Sequence, residues 1–388
     1  MRTQIAIVGA GPSGTLLSLI LHRAGIESVI VERRSKDYVL NRIRAGVLES
    51  SSAEILRSAG LGDRLDREGD VHHNVKFASG GESIIDIEFL KLVGKPMIAY
   101  GQTMIQEDLY AAAEDLNLDI RYECDDVELH DITGDTPYVT FVKDGEPQRL
   151  DCAFIAGCDG QHGASQKAIP DEAKNEFERS YPFGWLGILS ETPPLPELVY
   201  ANHETGFALC SQRNENLSRY YVQCPLEDSV DDWSDDRFWT SLLEKLPLPI
   251  RDSVATGSSI EKSIAPLRSR VIDPMQYGRL FVAGDSAHIV PPTGAKGLNL
   301  AISDVHYLSG AFIAHYTGDS SKLSVYSETA LRRVWSSVRF SWWMTVLLHR
   351  FPDQSPFEQK MREHEMAYLS SSEAARASVA EQYVGLDL

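Results

Sequence analysis

Glycines near the N-terminus have a spacing that can bind a phosphate group. The turn consists of Gly9, Gly11, Ser13 and Gly14, between an apolar run over residues 4–8 and leucines at helical spacing. Such glycines let the backbone turn tightly and approach a pyrophosphate at the positive end of a helix. Glu32 ends the next apolar run, 18 residues beyond Gly14, where a carboxylate can bind a ribose hydroxyl pair. This pattern predicts a βαβ unit that binds a dinucleotide.

A run of cations follows the predicted ribose-binding acid. It consists of Arg33, Arg34, Lys36, Arg42 and Arg44, all within 12 residues. A run of like charges is usually a solvated face. The whole chain, however, has a formal net charge of −19, so an anionic ligand needs a local positive field of this kind. We therefore expect the run to attract an anionic cofactor.

Two further turns combine glycine with aspartate. Gly157-Cys158-Asp159-Gly160 ends one predicted strand, and Gly284-Asp285 ends another. Either turn alone is an ordinary connection between elements. After Asp285, two prolines fix an extended backbone, and a helix is predicted to begin near Leu298.

The composition sets the class of protein that must position these turns. The chain has 388 residues, 43% hydrophobic and 24% charged, which is typical of a globular protein of two or three folding units. The negative charge and a pI near 5.0 argue against partners such as nucleic acid or anionic membranes. Five cysteines without a paired short spacing indicate reduced thiols rather than disulfides or a metal site. The first strand begins too early for a signal peptide, and no apolar run approaches the ~20 residues of a membrane span, so we expect a cytoplasmic protein.

The pattern of elements predicts a mixed α/β fold in three parts. Residues 1–175 begin with the βαβ unit and are expected to form a dinucleotide-binding domain with a parallel sheet. Residues 176–268 contain short apolar stretches between Pro-, Asn- and Asp-rich turns, which indicates an inserted, mostly antiparallel domain. Residues 269–388 carry the Gly284-Asp285 turn and then long helical patterns, including 298–348 and 355–380.

The three turns, in this order, resemble those of the aromatic-hydroxylating flavoprotein monooxygenases. The resemblance implies a Rossmann-like FAD-binding domain in which Asp285 contacts the ribityl chain and the Asp159 turn faces the flavin and nicotinamide. The loop over residues 286–299, called the flavin loop below, is then expected to lie against the flavin. The N-terminus of the following helix is expected to stabilise the negative charge of the reduced ring.

Longer stretches resemble one branch of this family, the members that hydroxylate 4-hydroxybenzoate. They lie at residues 32–49, 157–163, 181–187, 200–213, 263–269 and 339–345 and at the C-terminal YVGL. The resemblance implies conversion of 4-hydroxybenzoate to 3,4-dihydroxybenzoate with NADPH and O2, through a hydroperoxide at flavin C4a. It also implies non-covalent FAD and a homodimer.

The substrate chemistry assigns roles to particular residues through this resemblance. A free phenol has a pKa near ~10, so the site must stabilise the phenolate and move one proton out. Tyr200 is expected to hydrogen-bond the phenol, and Tyr383 to pass the proton towards His72. The residues expected to hold the substrate carboxylate are Ser211, Arg213 and Tyr221. The flavin loop is expected to contribute Pro292 and Thr293 to substrate binding, and Pro292 and Asn299 to catalysis.

The same resemblance assigns cofactor contacts beyond the N-terminal turn and Glu32. For FAD the expected residues are Arg42, Arg44, Gln102, Asp159, Asp285, Lys296, Gly297, Leu298 and Asn299. For NADPH they are Arg33, Arg34, Tyr38, Arg44, His162 and Arg268.

Two other functions remain open at this point. One is a related hydroxylase acting on another small aromatic acid, such as 3-hydroxybenzoate or an aminobenzoate. The carboxylate-binding residues fit any of these acids, whereas Tyr200 with Tyr383 favours a para-phenol. The other is a flavin-bound sensor that binds an aromatic acid without turnover. A sensor has no need to combine Asn299, Thr293 and Tyr383 with a cluster of nicotinamide-binding arginines.

Overall fold

A computed structural model describes residues 1–41, 46–79 and 83–388 of the chain. The predicted FAD and NADPH contacts Arg42 and Arg44 lie outside the described residues. Every cysteine lies in the described ranges and is a free thiol.

The described strands, in chain order, are β1 (Ile5–Val8), β2 (Ser28–Val31), β3 (Val47–Leu48), β4 (Asp70–His72), β5 (Asn74–Ser79), β6 (Ser83–Glu88), β7 (Met97–Ala99), β8 (Asp119–Arg121), β9 (Asp125–His130), β10 (Tyr138–Lys143), β11 (Glu146–Asp151), β12 (Phe154–Gly157), β13 (Asn175–Ser190), β14 (Val199–His203), β15 (Gly206–Asn214), β16 (Leu217–Cys224), β17 (Ser259–Asp273), β18 (Gln276–Tyr277), β19 (Leu280–Val282) and β20 (His288–Ile289).

The described α-helices are α1 (Pro12–Arg23), α2 (Lys36–Leu40), α3 (Ser50–Ser58), α4 (Gly62–Glu68), α5 (Phe89–Val93), α6 (Gln102–Asp115), α7 (Ser165–Ala168), α8 (Asp235–Glu244), α9 (Leu248–Arg251), α10 (Gly297–Tyr316), α11 (Ser321–Ser324), α12 (Tyr326–Leu348), α13 (Pro356–Ser371) and α14 (Glu373–Val384). Within the described ranges, no helix is long and apolar enough to cross a membrane.

A largely parallel sheet holds the three predicted turns at one edge. Its strand order is β18-β19-β12-β1-β2-β8, and only the β18–β19 pair is antiparallel. Val8 pairs with Gly157, and Gly157 pairs with Val282. Because these residues end parallel strands, the turns that follow them meet at the carboxyl edge of the sheet. The predicted βαβ start and its parallel sheet are confirmed.

An eight-stranded sheet forms the second layer, in the order β20-β17-β13-β16-β15-β14-β5-β6. The long strands β13 and β17 run antiparallel, and β14 pairs in parallel with β5. The sheet takes β5, β6 and β20 from outside residues 176–268, so the predicted insert does not build it alone. The domain boundaries themselves stay a prediction.

The C-terminal helices pack on the eight-stranded sheet. One hydrophobic core joins aromatic side chains of the eight-stranded sheet to α12, α13 and α14. Tyr200 on β14 and Tyr383 on α14 both belong to this core and are buried. The fold therefore brings the last helix of the chain against the β6 end of the sheet, where the Tyr383 hydroxyl meets that of Tyr200.

Candidate active site

The N-terminal turn is built so that only glycine fits at two of its positions. Gly9 has a φ of +104°, and a Cβ there would overlap the carbonyl oxygen of Cys158. A Cβ on Gly14 would overlap the carbonyl oxygen of Gly9. These contacts bring α1 close to the end of β1 and set the start of the helix against the Asp159 turn.

The start of α1 is open to an anion. Gly11 is its N-cap, and no side chain of the described residues caps this end. A Cβ on Gly11 would meet no atom of the described ranges within 4 Å. Glu32 lies beside the turn, where its carboxylate accepts hydrogen bonds from the backbone N–H of Ala10 (2.8 Å) and Arg34 (2.7 Å). An uncapped helix start with free space and an adjacent carboxylate fits a dinucleotide with its pyrophosphate at Gly11 and its ribose near Glu32.

Asp159 ties two of the turns together. One carboxylate oxygen accepts hydrogen bonds from the Ser165 N–H (2.9 Å) and hydroxyl (3.0 Å), and the other accepts from the Ser286 hydroxyl (2.9 Å). Burial raises the pKa of Asp159. The half-buried Asp285 lies in the short turn that contains Ser286. The structure therefore gives the Asp159 carboxylate a scaffolding role, and its predicted contact with FAD stays a prediction.

The loop before α10 is fixed by its polar side chains. The Asn299 side-chain amide donates to the backbone carbonyls of Val47 and Ala295, and its oxygen accepts from the Glu49 N–H. Ala295 is held at a φ of +53°. Gly297 and Leu298 begin α10, whose start lacks a capping side chain in the described part of the chain. This loop thus presents a helix N-terminus of fixed position, as the prediction for the flavin ring requires.

The buried Lys296 points from this loop to the C-terminal helix. Its ammonium donates to the Glu49 carboxylate (2.6 Å) and to the backbone carbonyls of Gln382 (2.6 Å) and Tyr383 (2.9 Å). Arg333 pairs with the other oxygen of Glu49. Burial lowers the pKa of Lys296, against the effect of Glu49. Sequence reasoning missed Glu49 and Arg333, although a buried lysine requires a nearby counter-ion.

A cavity next to this loop brings together most of the predicted substrate residues. Its lining includes His72, Tyr200, Ser211, Arg213, Tyr221, Pro292 and Tyr383. Phe89, Trp185, Leu198 and Leu209 supply apolar walls. Thr293 is buried, and its hydroxyl oxygen lies 2.9 Å from that of Thr345 on α12. An apolar cavity with polar groups at two ends suits a flat ring that is polar at both ends.

One end of the cavity carries two tyrosines. The hydroxyl oxygens of Tyr200 and Tyr383 lie 2.7 Å apart. Both side chains are buried, which raises the pKa of each hydroxyl above its usual value. Phe89 stacks on the Tyr383 ring at 5.3 Å. Both hydroxyls therefore stay protonated at neutral pH, and the pair can donate one hydrogen bond outward while sharing the other.

His72 lies at the edge of the same cavity. Its Nε2 is 3.2 Å from a carboxylate oxygen of Asp70 and 3.1 Å from the side-chain nitrogen of Gln212. Burial lowers the pKa of His72, partly offset by Asp70. A mostly neutral imidazole at this place is able to accept a proton. Its part in the relay stays a prediction.

The other end of the cavity is cationic. The Nε of Arg213 is buried and has no hydrogen-bond partner among the described residues, and burial lowers the pKa of this guanidinium. Ser211 donates its hydroxyl to the Arg219 carbonyl (2.6 Å). Tyr221 accepts a hydrogen bond from Arg219 Nε (3.2 Å). The Arg213 guanidinium donates one long hydrogen bond from Nη1, to the Gln212 carbonyl (3.4 Å), and its Nε is without a partner among the described residues. A carboxylate would satisfy this free donor and pair the charge.

Arg219 is a site residue that the sequence analysis missed. Its guanidinium also donates to Glu261 (2.9 Å) and to the Ser263 hydroxyl (3.0 Å), so its charge is already paired. It lies two residues before Tyr221 on β16, and residues two apart on a strand share a face. This alternation of side chains along the predicted strand could have indicated that Arg219 lies on the same face as Tyr221.

Among the described NADPH candidates, Arg33, Arg34, Tyr38 and His162 are exposed and Arg268 is half-buried. The Arg34 guanidinium is 4.8 Å from the centre of the Tyr38 ring, and Arg33 beside it is exposed. Arg268 bonds to Gln161, next to the exposed His162. Gln102 is the first residue of α6, a helix that packs on the glycine turn through Gln106 and Tyr110. NADPH binding by the first five residues and FAD binding by Gln102 remain predictions.

Three comparisons place the chain among known proteins. Residues 2–341 match the family model described as FAD binding domain. The chain is 50% identical over 389 residues to p-hydroxybenzoate hydroxylase from Acinetobacter baylyi, covering 100% of this chain and 96% of that protein. A 3-(3-hydroxy-phenyl)propionate/3-hydroxycinnamic acid hydroxylase from Mycobacterium sp. is 25% identical over 337 residues, or 81% of this chain. The alignment covers 55% of that relative, so this chain matches about half of its length.

A solved structure shows the same fold. The crystal structure of p-nitrophenol 4-monooxygenase PnpA from Pseudomonas putida DLL-E4 superposes with a TM-score of 0.83, covering 100% of both chains at 17% identity. At that identity the likeness concerns the fold alone. The predicted family and fold class are confirmed, and the full-length match shows a hydroxylase. The chain belongs to the FAD-binding flavoprotein hydroxylases, the family that includes p-hydroxybenzoate hydroxylase.

Proposed function

We propose that this chain hydroxylates 4-hydroxybenzoate to 3,4-dihydroxybenzoate, using FAD, NADPH and O2. The observation that carries the proposal is the cavity whose lining includes both the Tyr200–Tyr383 pair and Arg213, a buried cation whose Nε has no hydrogen-bond partner among the described residues. A para-hydroxylated benzoate has the two groups that such a cavity binds, a phenol and a carboxylate. FAD, when bound at the glycine turn, supplies electron transfer from NADPH and the activation of O2.

The cationic end binds the carboxylate. Arg213 is desolvated and lacks a partner at Nε among the described residues. A bound carboxylate therefore gains charge-assisted hydrogen bonds and gives this buried cation a counter-ion. Ser211 and Tyr221 line the same cavity and orient the carboxylate. This end selects an acid over a neutral phenol.

The tyrosine end holds and moves the phenolic proton. Burial raises the pKa of Tyr200, so Tyr200 is protonated before and after the transfer, and its hydroxyl donates to the phenolate oxygen once the phenol has ionised. When the phenol ionises, its proton passes to Tyr200 while Tyr200 releases its own to Tyr383 across 2.7 Å. His72, neutral and on the cavity wall, receives the proton through water. The ring carbon beside the phenolate then becomes the nucleophile.

The same proposal includes the NADPH contacts, the oligomeric state and the cellular location. Arg33, Arg34, Tyr38, His162 and Arg268 bind NADPH on the surface. The protein works as a homodimer in the cytoplasm. The NADPH contacts rest on the family resemblance and on the positive groups described above. The homodimer rests on the resemblance, and the cytoplasmic location rests on the sequence analysis.

The decisive experiment measures NADPH oxidation by the FAD-loaded protein with and without 4-hydroxybenzoate, with chromatographic identification of the product. We expect a large rate increase and stoichiometric 3,4-dihydroxybenzoate. Stimulation that yields only hydrogen peroxide would show that the true substrate is a different aromatic acid. Absence of stimulation would contradict the proposal and favour a flavin-bound sensor.

A further inference from the structure

Trp185 and His349 form a buried hydrogen bond that the proposed chemistry does not use. The indole Nε1–H of Trp185 on β13 donates to Nε2 of His349, just past the end of α12, at 2.6 Å. Trp185 is 2% exposed and His349 is 0% exposed. The two residues are 164 positions apart, so the bond joins the eight-stranded sheet to the C-terminal helices.

The surroundings of His349 fix both its charge and its tautomer. Nδ1 lies 3.0 Å from the Thr345 carbonyl, so Nδ1 carries the proton and Nε2 is the acceptor. Phe183 and Phe207 stack on the ring at 4.7 and 4.2 Å. This burial lowers the pKa of His349 to about 3. The ring is therefore a neutral acceptor of fixed orientation at working pH.

Two sets of contacts connect the Trp185–His349 hydrogen bond to the substrate cavity, one through Trp185 and one through Thr345. Trp185 lines the cavity, with its ring 5.2 Å from that of Tyr221. Thr345, which binds the His349 ring, also has its hydroxyl oxygen 2.9 Å from the Thr293 hydroxyl in the flavin loop. His349 is thus placed between the wall that faces the substrate carboxylate and the loop that carries Pro292.

We propose that His349 is a positioning residue, which holds the Trp185 indole as a fixed wall of the aromatic-acid cavity and links this wall to the flavin loop. The proposal rests on the proposed function, since the aromatic acid is the ligand whose position is at stake. The indole has two apolar faces and a single hydrogen-bond donor, so the bond to His349 favours the one side-chain rotamer of Trp185 that points this N–H at Nε2. Without an acceptor at His349, the buried indole N–H loses its partner, and the wall beside Tyr221 loses its fixed orientation.

Two variants separate this role from simple packing. In His349→Gln the side-chain amide reaches the place of Nε2 and can accept from Trp185. In His349→Asn the shorter amide overlaps Nδ1, keeps the bond to the Thr345 carbonyl, and does not reach the indole. Both are neutral and smaller than histidine, so a packing defect affects both.

The test uses FAD-loaded protein with 15N-indole labelling of tryptophan. The Trp185 signal is assigned by its loss in W185F, and binding of 4-hydroxybenzoate is followed by the change in flavin absorbance. We expect H349N to shift the Trp185 indole signal and to raise the Kd for 4-hydroxybenzoate by about tenfold. H349Q should keep the indole signal and a Kd within about twofold of wild type.

Other outcomes overturn the proposal. An indole signal unchanged in H349N excludes the bond, and a shifted signal with unchanged Kd excludes positioning. Equal losses in H349N and H349Q indicate packing alone. If H349N does not fold, W185F removes the donor with His349 intact, and an unchanged Kd in W185F then contradicts the proposal. Failure of the wild-type protein to bind 4-hydroxybenzoate would contradict the proposed function instead, because the indole signal reports the bond without substrate.

Discussion

The hydroxyl oxygens of Tyr200 and Tyr383 lie 2.7 Å apart although the residues are separated by 183 positions. Tyr200 is on β14, the third strand from the β6 edge of the large sheet, and Tyr383 is on α14 near the end of the chain. The carbonyl of Tyr383 also accepts a hydrogen bond from Lys296 of the flavin loop. The C-terminal helix is therefore joined to both the substrate end and the cofactor end of the site.

Replacement of Tyr200 tests the proton path. In Tyr200→Phe the phenolate loses its donor, so we expect hydroxylation to slow by about a hundredfold. The Kd for 4-hydroxybenzoate should rise by about tenfold or less, because one neutral hydrogen bond contributes little to net affinity. Single-turnover measurement of product formation, together with a binding titration, checks both values. Unchanged turnover in the Phe variant would remove Tyr200 from the mechanism.

Replacement of Arg213 tests the carboxylate end. Arg213→Ala should weaken binding of 4-hydroxybenzoate by about a hundredfold, since a charge-assisted pair is lost. Binding of 4-hydroxybenzaldehyde, which has no carboxylate, should change by about threefold or less. The two ligands are titrated against wild type and variant in parallel. Equal losses for both ligands would show that Arg213 supports the fold of the cavity rather than the carboxylate.

The pH dependence of turnover tests His72. Burial lowers the pKa of this imidazole below its usual 6.5, so His72 is neutral at pH 7 and able to accept the relayed proton. We expect kcat to reach a plateau at neutral and higher pH and to fall as the pH is lowered through the His72 pKa, because the imidazole then takes up a proton and stops accepting. Asp70→Asn removes a group that raises this pKa and should move the acid limb to lower pH.

The neighbouring residue His73 provides a control for the pH profile of kcat. His73 is exposed and adjacent to His72, so His73→Asn should retain the acid limb. His72→Asn should lower kcat and remove the limb. An acid limb that persists in His72→Asn would assign the titration to another group.

Local patterns were sufficient to predict the cofactor half of the site. The turns at Gly9, Asp159 and Asp285 each follow an apolar strand, and parallel strands bring their ends to one edge. The backbone pairing of β1, β12 and β19 brings the three turns together, so no contact between distant side chains is needed to place them. The sequence alone therefore predicted that each turn follows a strand, whereas the common edge was shown by the strand pairing and the contacts with FAD were assigned by the family resemblance.

Contacts between distant segments were not predictable from such patterns. Tyr200 and Tyr383 were joined only by the family resemblance, because each alone looks like a buried core ring. The bond from Trp185 to His349 and the pairing of Lys296 with Glu49 were missed. A buried lysine requires an anion, but 56 acidic residues are available, and only the tertiary packing selects one.

The buried charges at Glu49 should affect stability far more than exposed ones. Glu49 is 1% exposed and pairs with both Lys296 and Arg333. Glu49→Gln leaves two buried cations without a counter-ion and should lower the free energy of unfolding by about 3 kcal/mol. Glu328→Gln is the matched control, because Glu328 forms an exposed pair with Arg332 on α12; its cost should be about 0.5 kcal/mol or less. Urea unfolding of both apoproteins measures the difference, and equal stabilities would show that the buried triad is not a net stabilising feature.

A single methyl group at Gly11 should separate cofactor binding from folding. Gly11 has a φ of −70°, which any residue adopts, and a Cβ there would meet no atom of the described residues within 4 Å. Gly11→Ala should therefore leave the unfolding of the apoprotein unchanged, while the methyl group occupies the space expected for the pyrophosphate. We expect FAD affinity to fall by about tenfold or more, measured by quenching of flavin fluorescence. Gly310→Ala, at an equally open position within α10, should leave FAD affinity unchanged and stabilise the fold by about 0.5–1 kcal/mol. If the two variants bind FAD equally well, the pyrophosphate does not lie at the Gly11 turn.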